Sequence, residues 1–124
     1  MPALPKACRI QQKVSTVGFD WPERELVWDK VREEADEVQT EIDNKDTDRL
    51  EAEFGDLLFS VVNAARLYGV NPDLALERTN RKFIRRFGYM EQQTIKQGVP
   101  LQELTAEQLE TLWQEAKQTD DLAE

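Results

Sequence analysis

The chain has no histidine among its 124 residues. That excludes a Ser-His-Asp triad, His-ligated zinc and imidazole acid–base catalysis. It has a single cysteine, Cys8, so it forms no internal disulfide and no Cys-x-x-Cys site. Cys8 is expected to be an ordinary buried thiol on the first helix. No apolar run approaches the roughly 18 residues of a membrane span, and nothing near Met1 reads as a signal peptide. The expected location is therefore cytoplasmic, with no membrane partner. Positive charge is also in short supply: 16 Lys and Arg stand against 25 Asp and Glu, a net charge of −9. So acidic a chain lacks the cationic field of a general nucleic-acid binder, and no nucleic-acid partner is expected. Excess carboxylates suit bound cations instead.

Enough apolar residues remain, 40%, to exclude a disordered acidic tail. The length suits one domain, residues 1–124, burying roughly two thirds of its unfolded surface. Glycine and proline are few and pair up as punctuation: Gly18 with Pro22, Gly69 with Pro72, Gly98 with Pro100. No β-alternation, repeat or low-complexity segment interrupts the pattern, so the expected fold is all-α. The spacing predicts helices over about 6–16, 23–42, 47–67 and 72–97, with a bend near Gly88. A last helix follows Thr105. Phe19 and Trp21 are expected to fold back on the core. Asp46 or Thr47 caps the third helix, Asn71 the fourth, and Thr105 with Gln108 forms a capping box on the last. The end of the chain, from about Thr119, is expected to fray.

The charges carry the functional information. Glu33-Glu34-Ala35-Asp36-Glu37 is an E-E-x-x-E block, and Glu53-Phe54-Gly55-Asp56 is an E-x-x-D block. Residues three apart share a helix face. With each residue advancing about 100°, Val27, Val31, Ala35, Val38 and Ile42 form the core stripe of the second helix. Lys30, Glu34 and Glu37 flank it, with Glu41 a turn beyond. On the third helix Leu50, Phe54, Leu57, Val61, Ala65 and Tyr68 form a stripe that Leu58 and Val62 widen, a width that predicts burial on two sides. Its flank holds Arg49, Glu53, Asp56 and Ser60. An unpaired carboxylate at Asp56, amid apolar residues, would be costly. On the fourth helix Lys82 and Arg86 border a stripe of Leu76, Thr79, Phe83, Phe87 and Met90, while Arg81 and Arg85 point to solvent. These charges are either solvated faces joined by salt bridges or one site. Four carboxylates brought together repel unless cations lie between them, and oxygen donors suit Mg²⁺ or Mn²⁺. Lys82 and Arg86 would then neutralise phosphate.

The E-E-A-D-E block, the E-F-G-D-L-L-F block (53–59) and N-R-K-F-I-R-R-F (80–87) resemble the MazG family of nucleoside triphosphate pyrophosphohydrolases. More narrowly, they resemble the C-terminal catalytic domain of two-domain bacterial MazG proteins, and Gly18-Phe19-Asp20-Trp21 and Trp113 fit it too. The chain then corresponds to one domain of a longer protein, or to a single-domain relative. The resemblance implies a four-helix-bundle-type fold with an added C-terminal helix, and a homodimer. It implies Mg²⁺-dependent cleavage of NTPs and dNTPs between the α- and β-phosphates by a metal-activated water, with broad specificity and a role in nucleotide-pool clearance. The implied metal ligands and catalytic residues are Glu34, Glu37, Glu53 and Asp56. The implied nucleotide-binding positions are the segments 30–34, 49–52 and 82–86, together with Trp113. The helical wheels pick Lys30, Arg49, Lys82 and Arg86 independently, whereas stacking by Trp113 comes from the resemblance alone. Glu33 is a candidate for positioning the water or a ribose. The alternatives are a dUTPase-like enzyme, a phosphoribosyl-ATP pyrophosphohydrolase, or a non-catalytic helical dimer that binds nucleotide or a partner protein.

Overall fold

The computed structural model describes residues 1–123, with side chains through Asp120. Among the described residues it is all-helical: α1 (Ala3–Ser15), α2 (Val27–Asn44), α3 (Thr47–Leu67), α4 (Pro72–Gln97) and α5 (Ala106–Ala123), with single 3₁₀ turns at Arg24–Leu26 and Leu101–Glu103. No described helix is long and apolar enough to cross a membrane. The chain forms two compact units, Met1–Ala75 and Leu76–Glu124.

The first unit is organised by a tight link. Lys45 ends α2 in the left-handed region, φ 58° and ψ 31°, and its N–H bonds the Ile42 carbonyl. Asp46 then caps α3, its Oδ1 accepting from the Arg49 backbone N–H at 3.1 Å. With so little chain between them α2 and α3 pack as an antiparallel hairpin, in which residues equidistant from the turn lie level with one another. This level pairing sets the acids of α2 beside those of α3. At its far end α3 closes in a Schellman motif: Val70 N–H bonds the Ala65 carbonyl at 2.9 Å and Gly69 N–H the Arg66 carbonyl at 3.0 Å. Gly69, at φ 74°, takes the left-handed position where a Cβ would be strained. Helix α1 lies on α3, anchored by Gln11.

The buried faces differ from the hydrophobic wheels. On α2 the buried residues are Val27, Glu34, Val38 and Glu41, while Ala35 and Ile42 are exposed. The covered side is thus rotated towards the acids. On α3 Ser60, Val62 and Ala64 are buried, whereas Phe54, Leu58, Val61 and Tyr68 are exposed. The wide stripe has one covered side and one uncovered side in the single chain. Phe19, expected on the core, is 80% exposed, and only Trp21 is partly buried. Cys8 is half-buried rather than enclosed.

In the second unit Met90, Leu112 and Ala116 form the core, with Tyr89, Leu101, Leu104 and Trp113 packed on it. α4 is helical throughout, Gly88 included. α5 opens with the capping box: Thr105 N–H bonds Gln108 Oε1 at 2.9 Å and Gln108 N–H bonds Thr105 Oγ1 at 3.1 Å. The helix continues through Thr119 and Asp120, and the rest of the end expected to fray has its side chains outside the described residues. Asp120 is buried and accepts from Arg85 Nε at 2.9 Å and Arg86 Nε at 3.0 Å. These bonds, Arg85 first, hold its carboxyl below the usual carboxylate range. Arg85 therefore faces α5 rather than solvent alone. Glu124 lies outside the described residues.

The link between α2 and α3 yields two opposite expectations. Asp46→Ala removes the cap and lowers unfolding free energy by about 1 kcal/mol. Lys45→Gly relieves the left-handed strain and raises it by about 0.5 kcal/mol. Urea denaturation of both variants against the parent chain measures the pair.

Candidate functional site

The hairpin gathers acids at its middle. Carboxylate oxygens of Glu34, Glu53 and Asp56 lie within 4.8 Å of one another. Glu34 is 8% exposed, Glu53 is half-buried and Asp56 is open to solvent. The exposure of Asp56 corrects the expectation that its apolar neighbours would desolvate it: those neighbours point elsewhere around the helix. Glu37 falls outside the close set and is exposed, yet it acts on Glu53 through space. Glu41, on the same side of α2, is as buried as Glu34, and its Oε2 meets no hydrogen-bond partner among the described residues. The Glu53 carboxyl is pushed above its ordinary range, first by desolvation and then by Glu37, Asp56, Glu34 and Glu41.

One cation of the chain already sits here. Lys30 Nζ lies 3.0 Å from Glu34 Oε1 and 3.6 Å from Glu33 Oε2. The Glu34 carboxylate holds the Lys30 ammonium charged beyond its usual range. Lys30 is thus both near the acids and engaged by one of them, while Glu33 is on the exposed side. Arg49 is not drawn to the cluster; it is exposed and turned back on Asp46, Nε to Oδ2 3.5 Å. The donor set is all oxygen and strongly anionic, which fits a hard divalent ion and excludes a soft-metal site.

Glu34 and Asp56 border a half-open cleft of about 780 Å³ lined by residues of the first unit. Lys30, Glu34 and Asp56 line it together with Phe19, Trp21 and Phe59. The sequence reading did not single out Gln11, Asn63 or Arg66, which also line it. Arg66 donates to Asp20 at 2.6 Å and to Asn63 Oδ1 at 2.7 Å. The Arg66 hydrogen bond keeps the Asp20 carboxyl below the usual range. No local signal marks Gln11, because a glutamine on an amphipathic helix reads as solvent-facing. Asp20 stands within the Gly18–Trp21 segment and was legible there as part of the motif.

Three predicted nucleotide-binding residues belong to the second unit. Arg86 has a side chain only 12% exposed, bonded to Asp120 and stacked over Trp113, with its guanidinium carbon 5.8 Å from the ring centroid. Trp113 also meets Phe83 at 5.1 Å between centroids. Lys82 is half-buried. Trp113, Phe83, Phe87, Met90 and Leu109 line a second, shallower hollow of about 460 Å³.

The raised Glu53 pKa carries a sign. Its folded value lies above the unfolded one, so the folded, metal-free protein binds more protons between the two. The stability that Glu53 contributes is therefore full below the ordinary carboxylate range and is lost as pH rises through the raised value, opposite in sign to the contributions of Asp20 and Asp120, whose lowered values favour the folded state at higher pH. Glu53→Gln is expected to remove this component, read as the difference between parent and variant in thermal unfolding across pH without divalent ions. An added divalent cation is expected to raise the melting temperature of the parent chain at neutral pH and to leave Glu53→Gln nearly unmoved.

Comparison with known proteins accords with this chemistry. Residues 23–89 match the family model described as the MazG nucleotide pyrophosphohydrolase domain. The chain is 46% identical over 121 residues to the nucleoside triphosphate pyrophosphohydrolase/pyrophosphatase MazG of Thermotoga maritima, covering 98% of this chain and 46% of that protein. It is 41% identical over 122 residues to the nucleoside triphosphate pyrophosphohydrolase of Escherichia coli K12, with 97% and 46% covered. A shorter stretch, 71 residues at 49% identity, matches the protein YabN of Bacillus subtilis and covers 57% of this chain and 14% of that one. The chain spans a little under half the length of the two longer-matching relatives. On the family match across the hairpin and most of α4, the chain belongs to the MazG nucleotide pyrophosphohydrolase family.

Proposed function

We propose that this chain hydrolyses ribo- and deoxyribonucleoside triphosphates between the α- and β-phosphates, releasing monophosphate and pyrophosphate, with Mg²⁺ or Mn²⁺ as its metal. The observation that carries the reading is the trio Glu34, Glu53 and Asp56, their oxygens within 4.8 Å, beside a cleft of nucleotide size. Left alone, three such carboxylates repel; a divalent ion and a polyphosphate together complete the charge balance. Glu34, Glu53 and Asp56 would hold the ion, with Glu37 joining from the exposed side of α2. Once bound, the ion supplies Lewis acidity and neutralises phosphate charge.

The chain's own residues do the rest. Lys30 brings a positive charge to the edge of the trio and offers it to a phosphate oxygen. Glu33, one position from Glu34 and paired with Lys30, is proposed to accept a hydrogen bond from water or ribose. Lys82 and Arg86 are the proposed counter-charges for the leaving pyrophosphate, and Trp113 a stacking surface. Arg49, turned back on Asp46 in this structure, is proposed to reach the substrate from the start of α3 by leaving that contact. In this proposal the enzyme is a cytoplasmic homodimer of broad nucleotide specificity that clears aberrant or excess nucleotides. Self-association is supported by the uncovered side of α3, where Phe54, Leu58 and Val61 stand on one strip. Such a strip is more apolar than a monomer surface normally presents.

Two measurements test this reading. Phosphorus NMR of reactions with the eight common NTPs and dNTPs and Mg²⁺ should show pyrophosphate and monophosphate; orthophosphate as the sole product overturns the cleavage position. Asp56→Asn should lower kcat/KM by more than about a hundredfold, beyond the usual effect of losing an outer-shell partner, with the helical circular-dichroism signal unchanged. For the assembly, sedimentation velocity should give a dimer for the parent chain and a monomer for Leu58→Glu.

A further inference from the structure

Lys30 stands on a carboxylate that a metal ion would need. Its Nζ lies 3.0 Å from Glu34 Oε1 and 3.6 Å from Glu33 Oε2, so one ammonium is divided between two acids. Their surroundings differ. The Glu34 side chain is 10% exposed and belongs to the trio with Glu53 and Asp56. The Glu33 side chain is 60% exposed and stands outside that trio. Among the described residues Lys30 is the one cation paired with a member of the trio. It is the chain's own counter-ion for a group whose chemistry suits a foreign one.

Lys30 and a divalent ion compete for Glu34. Two cations on one carboxylate lie far inside the Debye length of about 8 Å, so dissolved salt does little to relieve their repulsion. The ammonium is the partner that can give way. It rides on a flexible four-carbon stem, and its side chain is 42% exposed. Glu34 is buried and grouped with the acids of α3. The acceptor next in reach of Lys30 is Glu33 Oε2. It lies three residues along the same helix, a spacing at which opposite charges meet without disturbing the backbone. A turn of the Lys30 side chain therefore vacates Glu34 and keeps the ammonium paired.

We propose that Glu33 is a positioning residue: it receives the Lys30 ammonium when a divalent ion takes Glu34, and keeps that charge beside the cleft for a phosphate. This rests on the metal site proposed above. Without Glu33 the displaced ammonium loses its partner, and Lys30 opposes metal loading with nothing to offset it. With Glu33, metal loading and the presentation of Lys30 become one event. The cation that balances the metal-free trio stays at the cleft, which Lys30 lines, instead of turning out to solvent. The adjacent acids Glu33 and Glu34 thus have separate duties, one toward the lysine and one toward the ion.

The test is Mn²⁺ binding without nucleotide, read from the electron paramagnetic resonance of the free ion. It compares the parent chain, Lys30→Met, Glu33→Gln and the double variant. Both side chains reach solvent and both replacements favour helix, so the helical circular-dichroism signal should be the same in all four. Lys30→Met is expected to bind Mn²⁺ about fivefold more tightly, since nothing then competes for Glu34. Glu33→Gln is expected to weaken binding about threefold in the parent, the range of an exposed ion pair, and to change nothing in the Lys30→Met background. A direct field or ligand role of Glu33 would act alike in both backgrounds, so equal weakening in the two overturns the proposal. So does an unchanged affinity in Lys30→Met, or in Glu33→Gln. Saturable binding to the parent with additive variants removes the exchange and leaves the metal site standing. Absence of saturable Mn²⁺ binding to the parent overturns the metal site, and the exchange with it.

Discussion

Mutual repulsion of carboxylates is the constraint around which the first unit is built. Glu34, Glu53 and Asp56 are held with oxygens inside 4.8 Å, and Glu37 and Glu41 add their fields. No fold assembles such a group for its own stability, since like charges in partial burial are unfavourable. The hairpin enforces it because its link is short and firmly capped, leaving α2 and α3 no freedom to slide apart. Lys30 offsets part of the repulsion through Glu34. The remainder is an electrostatic demand for cations, and that demand is the basis of the metal and nucleotide chemistry proposed for the site.

The cleft gives that demand a direction. Acidic and aromatic side chains line one hollow within one unit, which suits the nucleotide proposed for it. The Asp20–Arg66–Asn63 chain stiffens the far wall by hydrogen bonds of 2.6 to 2.9 Å. In the second unit the cationic residues are organised differently. Arg85 and Arg86 converge on Asp120, and Arg86 lies over Trp113. Here the charges hold α5 on α4, so the basic strip has a structural duty besides any contact with phosphate.

Much of the architecture was legible because it depends on local chemistry. Gly69 and Pro72 punctuate the chain, Asp46, Asn71 and Thr105 cap helices through neighbouring backbone N–H groups, and each of these acts within a few residues. Burial was less legible. The wheel placed Ile42, Phe54 and Val61 in the core, yet they are exposed, while Glu34, Glu41 and Gln11 are buried. A wheel ranks faces by hydrophobicity, but which face is covered depends on where the neighbouring helices lie. Thr119 and Asp120 looked like a fraying end for the same reason: the arginines that tie Asp120 down are distant in sequence.

The sequence by itself determined the all-helical class, the helix limits to within a turn and the two acidic blocks, because three-residue spacing on a helix is a local rule. It also carried the family, through the order of those blocks and the basic one after them. Only the tertiary structure decided that Glu34, Glu53 and Asp56 converge while Glu37 stands outside the close set, that Arg49 turns back to Asp46, and that Arg86 is shared with Asp120. It alone joined Gln11, Trp21 and Phe59 to the acids around one cleft. Those outcomes depend on contacts between helices far apart in the chain, and no local pattern of residue types encodes a distance across a helix interface.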